Sequence, residues 1–282
     1  MLRRIEASWI TARARLERIP RRWAVAPCLG IAVAVSAMTF VYWPQLWPER
    51  GTDYGFYVEQ AERWFRGDGF YEARQLAGSY EWKVDFDNTY PPPALWLFLP
   101  FVWLPGPIWW AVPLTAIVAV VLWLRPAPWA WPLIAIACLP PRTQAIVLWG
   151  NTTMWITAFV ALGLLYAWPA VLIHIKPYFA PLILIGARHR SWWLALAIVV
   201  LGNLPLLPMW VEFLTAWRNA GRSWPSIGYA PDDVFILSIP IVAWLARRRS
   251  PQDDRVVEGR WRRDRLPPNG VDTDLEGAGR RA

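Results

Sequence analysis

The sequence contains little cysteine, histidine or lysine. Its two cysteines, Cys28 and Cys138, both lie in apolar segments, which excludes a disulfide framework and is typical of small buried hydrophobic residues. The Walker loop, the dinucleotide-binding glycine fingerprint, the nucleophile elbow, the HExxH motif and CxxC pairs are all missing. A soluble nucleotide-dependent enzyme is therefore not supported.

Charged residues are also scarce, at 18% of the chain, whereas 56% of the residues are hydrophobic. Apolar runs recur along most of the length, which predicts a polytopic membrane protein and not a soluble domain. The formal net charge is +8. The arginines form short clusters beside the apolar runs, where the positive-inside rule places them, so no nucleic-acid partner is expected.

The predicted fold is all-α, with about eight transmembrane or partly spanning helices. Residues 1–22 form a basic cytoplasmic N-terminus, residues 23–246 form the membrane domain, and residues 247–282 form a disordered cytoplasmic tail. The protein is thus expected to be a multi-pass protein of the plasma membrane with both termini in the cytoplasm. Apolar runs are predicted at 23–43, 93–104, 107–124, 127–139, 144–168, 169–187, 192–210 and 234–246, with a loop over 211–233.

One long polar segment, residues 44–92, separates the first two apolar runs and is predicted to be an extracytoplasmic loop. Apolar residues recur in it at helical spacing, at Tyr54, Tyr57, Ala61, Trp64 and Phe65. Polar residues fill the opposite face, at Glu59, Gln60, Glu62 and Arg63. The pattern predicts an amphipathic helix at the membrane interface that ends at Gly67-Asp68-Gly69.

Two ionisable residues are the main candidates for chemistry. Asp53 follows the first predicted span, where a general base would meet a lipid-linked substrate and a polar acceptor. It could also be the N-cap of the amphipathic helix. Lys176 is one of only two lysines and lies inside an apolar run directly before Pro177, where a charge is costly and a helix breaks. It could hold a phosphate there, or it could extend to the interface.

Further polar residues are candidates for lining a substrate groove. Asn151 follows Gly150 inside an apolar run, and His174 precedes Lys176; hydrogen bonding between helices and packing are the alternative roles of these side chains. Tyr90 opens a Tyr-Pro-Pro-Pro segment that predicts an extended backbone or a rigid junction. The predicted groove residues are Tyr54, Tyr57, Asp87, Tyr90, Asn151 and His174.

No cofactor is required by the sequence, and no metal site is predicted. Asp85, Asp87 and Asn88 are additional acceptors that could help to bind a sugar or a divalent cation.

Several short motifs occur in a fixed order over roughly residues 20–210. They are Asp53-Tyr54-x-x-Tyr57, Arg66-Gly67-Asp68-Gly69-Phe70-Tyr71, Tyr90-Pro91-Pro92, Leu104-Pro105, Gly150-Asn151, Lys176-Pro177 and an arginine-rich turn at 188–190. This order resembles the GT-C superfamily of membrane glycosyltransferases, and it is most similar to glycosyltransferase family 87, which includes polyprenyl-phosphate-mannose-dependent α-mannosyltransferases.

The resemblance implies a fold of many membrane helices with a large first outer loop. It implies a hexosyltransferase that moves a sugar such as mannose from a polyprenyl-phosphate donor to a lipid or glycan acceptor. The catalytic base would be a loop acid, which corresponds to Asp53, and Lys176 would face the donor phosphate. The alternative is a non-catalytic membrane protein, either a transporter of lipids or small molecules or an accessory subunit. A cavity shared by Asp53 and Lys176 would favour the enzyme.

Overall fold

The computed structural model describes residues 50–83, 87–223 and 231–247, together with Ala37 and Val41. The N-terminus at 1–22, nearly all of the first predicted span, Asp85 and the tail beyond Arg247 lie outside the described residues. The described ranges are helical and contain no β-strand, only an isolated antiparallel bridge between Pro126 and Arg247. The all-α prediction is therefore confirmed for this part of the chain.

The α-helices of the described ranges are α1 (Thr52–Arg66), α2 (Ala73–Ala77), α3 (Leu95–Phe98), α4 (Pro107–Leu124), α5 (Ala130–Ala137), α6 (Pro141–Trp149), α7 (Thr153–Tyr166), α8 (Arg190–Gly202), α9 (Leu207–Ala220) and α10 (Val234–Leu245). Short 3₁₀ helices lie between them at Pro92–Ala94, Leu99–Val102, Trp168–Ile175, Pro177–Leu184, Leu204–Leu206, Gly221–Ser223 and Pro231–Asp233.

One unbroken helix among the described residues, α4, is long and apolar enough to span a membrane. Two bent pairs pass the same test as broken spans, namely α5 with α6 at 64° and α8 with Leu204–Ser223 at 41°. By length and composition, the described residues therefore provide one helix that could span a membrane, or up to three if each bent pair is one span. The predicted number of about eight membrane segments stays a prediction.

The surface of α8 fits a lipid environment. Of its residues only Trp192 is buried, whereas Trp193, Leu194, Ile198 and Leu201 are all exposed. A contiguous apolar surface of this kind is unusual on a soluble monomer and is typical of membrane contact.

The amphipathic helix predicted in the polar loop is confirmed as α1. It ends at Arg66, before Gly67, whose φ of 88° is the left-handed conformation that glycine adopts at low cost. Tyr57 is buried as expected, but Gln60 is buried as well, and Phe65 is exposed. The apolar face is thus rotated relative to the prediction.

The N-terminus of α1 does not use Asp53 as its cap. Gly51 occupies the N-cap with a φ of 71°, and its backbone N–H donates to the Leu148 carbonyl over 2.9 Å. Asp53 lies in the first turn, where a carboxylate interacts favourably with the helix dipole. The contact with Leu148 ties the start of α1 to α6.

Three predicted segments are wrong in detail. Residues 169–187 form two 3₁₀ helices instead of one span, with Lys176 in an extended conformation between them. Prolines at 169, 177 and 181 cannot donate the backbone hydrogen bonds of an α-helix, so the break expected at Pro177 is confirmed. The loop predicted over 211–233 begins too early, because α9 continues to Ala220 and buries Met209, Ala216 and Ala220 along one side.

Residues 144–168 are likewise divided. They contribute to α6 and α7, which are separated at Gly150 and Asn151. α7 packs against α4, α10 and the 3₁₀ helix Trp168–Ile175, so its N-terminus stands near the middle of the described fold. Short helices that end inside a membrane protein are tolerated where they line a cavity.

Candidate functional site

A cavity of about 750 Å³ brings together most of the predicted site residues. Its lining includes Asp53, Tyr57, Asp87, Tyr90, Asn151, His174 and Lys176. Tyr54 is the exception, because its ring lies outside the lining, with its centroid 5.1 Å from that of Trp110 and 5.6 Å from that of Trp109. Tyr54 therefore helps to pack α1 against α4 and does not face the cavity.

The break between α6 and α7 depends on Gly150. Its φ is 78°, and a Cβ atom there would lie 2.8 Å from Trp110 Cζ2 and 2.9 Å from Tyr54 Cβ. Its carbonyl accepts a hydrogen bond of 2.7 Å from Trp109 Nε1. A left-handed turn with no room for a side chain thus fixes the position from which Asn151 projects.

Asn151 joins the two principal candidates. Its Nδ2 donates to Asp53 Oδ2 over 2.5 Å, while its Oδ1 accepts from Lys176 Nζ over 3.1 Å. The backbone N–H of Thr153 also donates to Asn151 Oδ1, over 2.9 Å. A single amide therefore connects Asp53 on α1 to Lys176 between the two 3₁₀ helices.

Lys176 is buried, with 6% of its surface exposed, and does not extend to an interface. Besides Asn151, its ammonium donates to Thr153 Oγ1 over 2.5 Å and to Asp233 Oδ2 over 3.1 Å. It also lies 5.7 Å from the centre of the Phe179 ring. A buried charge needs partners of this kind, and here they are supplied by the α6–α7 break, by the first residue of α7 and by the residue before α10.

Sequence reasoning missed two residues of this cluster, Asp233 and Arg142. The Asp233 carboxylate is fully buried and accepts from Arg142 Nε over 2.9 Å, from Thr153 Oγ1 over 2.9 Å and from Lys176. Arg142 lines the cavity, with its guanidinium 5.4 Å from the Trp149 ring. Their only sequence signal is a charge at the boundary of an apolar run, which is the usual place for one.

A chain of hydroxyl groups borders the cavity near Asp53. The Tyr90 hydroxyl lies 2.9 Å from that of Tyr57 and 2.8 Å from that of Thr152. Burial is the main cause that raises the pKa of Tyr57 well above its usual value, and the charge of Asp53 adds to it. Burial also raises the pKa of Tyr90, against the opposing effect of its two hydrogen bonds. Both phenols therefore stay protonated at physiological pH and can donate hydrogen bonds.

Asp87 and His174 have structural contacts as well as cavity positions. Asp87 accepts from the Lys83 backbone N–H over 2.7 Å and forms an ion pair of 2.6 Å with Arg74. His174 Nδ1 lies 2.7 Å from the Val171 carbonyl, and its buried Nε2 has no hydrogen-bond partner among the described residues. His174 also lines a second, mostly apolar cavity of about 330 Å³.

No group of three or more His, Cys, Asp or Glu side chains in the described ranges could hold a metal ion. Asp85, one of the acceptors considered for a divalent cation, lies outside those ranges.

Comparisons with protein-family models, with curated proteins and with solved structures all give no match.

Proposed function

We propose that this chain is a membrane glycosyltransferase that moves a hexose, with mannose as the first candidate, from a polyprenyl-phosphate donor to a lipid or glycan acceptor. The observation that carries the proposal is the shared cavity of Asp53 and Lys176, which Asn151 bridges. A carboxylate and a cationic cluster facing one cavity are what displacement of a sugar from a phosphate requires.

The reaction would be a single displacement. The acceptor hydroxyl oxygen forms a bond to the anomeric carbon of the donor sugar, and its proton passes to the carboxylate of Asp53. The bond between that carbon and the phosphate oxygen breaks, and polyprenyl phosphate leaves. The cations beside the cavity offset the charge that develops on the leaving phosphate. The configuration at the anomeric carbon is inverted.

The size and lining of the cavity suit a glycosyl phosphate. About 750 Å³ lies within the usual range for small-molecule sites. Four tryptophans line it and offer flat apolar faces beside the polar cluster, namely Trp82, Trp149, Trp210 and Trp217.

The second cavity supports a donor that carries a lipid. Its lining includes Ile183, Leu196, Val200 and Leu207, and it shares His174 and Trp210 with the first cavity, which Asp53 and Lys176 line. An apolar chain attached to a phosphate in the first cavity would have an apolar surface next to it. The cavity of Asp53 and Lys176 would open to the extracytoplasmic side if the loop at 44–92 is outside, as the charge pattern predicts.

A non-catalytic protein is the second candidate, and one observation favours it. Lys176 is bonded to three protein oxygens, which is also the arrangement expected if the cluster only holds helices together. A transporter of lipids or small molecules, or an accessory subunit, would need no more than this.

Sugar transfer from a labelled donor separates the two candidates. Membranes that contain the chain would be incubated with radiolabelled polyprenyl-phosphate mannose and compared with membranes that lack it. Appearance of label in a lipid or glycan acceptor only with the chain supports the enzyme. If neither this donor nor other polyprenyl-phosphate hexoses yield product, the enzyme proposal is wrong and the non-catalytic candidate replaces it.

A further inference from the structure

The hydrogen-bond donors of Lys176 are all occupied by the protein. An ammonium group has three N–H donors. Those of Lys176 meet Asn151 Oδ1, Thr153 Oγ1 and Asp233 Oδ2 at 3.1, 2.5 and 3.1 Å. A phosphate could bond to this ammonium only by displacing one of these acceptors. Since Asp233 is fully buried, that displacement would weaken the pairing of a charge that water cannot reach.

The same contacts fix the direction in which Asn151 faces. Its Oδ1 receives the Lys176 ammonium and the Thr153 backbone N–H, and both of these groups are donors only. Turning the amide over would place its NH₂ group against two donors, so Nδ2 must face Asp53. Lys176 and the Thr153 N–H together determine that Asp53 receives a hydrogen bond and not a repulsive contact.

Arg142 is the second cation on Asp233, and it differs from Lys176 in exposure. Its Nε donates to Asp233 Oδ1 over 2.9 Å, yet 25% of its side chain remains exposed and it lines the cavity. A guanidinium has five N–H donors in a planar fork, so it can serve several acceptors at once and matches the geometry of a phosphate.

We propose that the two cations have separate roles: Arg142 contacts the phosphate group of the ligand, and Lys176 is a positioning residue that orients Asn151 toward Asp53 and holds Asp233 beside Arg142. This departs from the expectation that Lys176 faces the phosphate. The identity of the ligand as a phosphate-bearing lipid rests on the proposed function.

Ligand-induced stabilisation tests the first role. The unfolding temperature of the purified chain in detergent would be measured with increasing polyprenyl phosphate, and separately with inorganic phosphate at matched concentrations. Arg142→Gln should weaken the dissociation constant for polyprenyl phosphate at least tenfold, whereas Lys176→Gln should change it less than about threefold. Arg218→Gln, an exposed cation on α9, is the matched control and should match the wild type. Stabilisation by inorganic phosphate as well would assign the site to the phosphate group itself, with Arg142 still required.

Stability and kinetics test the second role. Lys176→Gln should lower the unfolding temperature without ligand, because Asp233 loses a partner, and the double variant with Asp233→Asn should recover part of the loss. In the transfer assay Lys176→Gln should lower kcat about tenfold with little change in KM, and Lys176→Arg should restore part of it. A merely structural lysine would not alter kcat in the folded fraction.

The negative outcomes of these experiments distinguish a wrong division of roles between Arg142 and Lys176 from a wrong proposed function. If Lys176→Gln abolishes binding of polyprenyl phosphate while Arg142→Gln preserves it, the division of roles is wrong and the proposed function is untouched. If the wild type transfers sugar but Lys176→Gln has normal kcat, the positioning role alone is wrong. If polyprenyl phosphate does not stabilise even the wild type, the proposed donor and the Arg142 assignment are both wrong.

Discussion

Asn151 is the residue that couples the acid and the cation of the cavity. Its amide oxygen meets the Lys176 ammonium and the Thr153 backbone N–H, which are donors only, and its amide nitrogen meets Asp53, so each half of the group has a single suitable partner type. The carboxylate of Asp53 is held in one orientation toward the cavity as a result. Side chains that are fixed by neighbours in this way keep a reacting group within the narrow geometry that catalysis needs.

Gly150→Ala tests whether the turn before Asn151 controls the site. The new Cβ would meet Trp110 and Tyr54 at under 3 Å in a left-handed conformation, which we expect to cost about 1–3 kcal/mol. The unfolding temperature should fall by several degrees, and transfer by the folded fraction should fall at least tenfold because Asn151 moves.

Gly55→Ala is the matched control for that change. Gly55 lies within α1, and a Cβ there would meet nothing within 4 Å. Replacing a helical glycine by alanine should stabilise the chain by up to about 1 kcal/mol and leave transfer unchanged. Equal effects of the two substitutions would contradict a special role for the turn at Gly150.

Residues of the site differ in how far the sequence could predict them. Asn151 and Lys176 could be chosen because each is a polar group within an apolar run, where it is costly unless it is used. Asp53 could be chosen because it follows the first predicted span, where a general base would meet a lipid-linked substrate. Asp233 and Arg142 stand at ends of apolar runs, where charges are ordinary. Their contact joins segments that are far apart in the chain, and no local pattern encodes it.

At the scale of elements, short helices and breaks bring the site together. α6 and α7 meet at a glycine turn, and two 3₁₀ helices meet at Lys176. The sequence predicted the break at Pro177 and the end of α1 at Gly67, because proline and glycine act locally. It did not predict the 3₁₀ conformation of residues 168–184 or the extent of α9, since both depend on the surfaces against which these segments pack.

Val200→Trp tests the apolar cavity as the site of the lipid chain. Val200 lines that cavity on α8, and a larger side chain should occupy part of it. We expect KM for a long-chain polyprenyl-phosphate donor to rise about tenfold, which corresponds to roughly 1.4 kcal/mol, and KM for a donor with two isoprene units to stay the same.

Val118→Trp serves as the control on α4. Val118 and Val200 are equally exposed, at 55%, but Val118 lines neither cavity. An equal rise in KM from both substitutions, or an equal rise for both donors, would show that the apolar cavity does not hold the chain.

At the scale of the whole molecule, the described fold is all-α and has at least one helix able to span a membrane. Composition was sufficient to predict this, because 56% hydrophobic residues in long runs leave few alternatives. The number of spans could not be fixed in the same way. Several of the described helices are short or bent, and length in sequence does not tell a spanning helix from a broken one.

Orientation in the membrane is testable by labelling introduced cysteines in intact cells. With Cys28 and Cys138 replaced by serine, Asp68→Cys should react with a membrane-impermeant thiol reagent, because its loop is predicted to be outside. Arg190→Cys should react only after the membrane is opened, since its arginine-rich turn is predicted to be inside. Both native residues are exposed, so burial does not explain a difference. If Arg190→Cys reacts in intact cells and Asp68→Cys reacts only after the membrane is opened, sugar transfer would have to occur on the cytoplasmic side.

The most direct measurement is sugar transfer by purified Asp53→Asn beside the wild type and Asp68→Asn. Asp68 is an exposed acid in the same predicted loop and does not line the cavity, so it controls for loss of charge. Removing a general base should lower kcat/KM by about 10²–10⁴-fold in Asp53→Asn, while Asp68→Asn stays within twofold of the wild type. Stabilisation by polyprenyl phosphate should persist in both variants. Transfer by Asp53→Asn at the wild-type rate would contradict the assignment of Asp53 as the catalytic base.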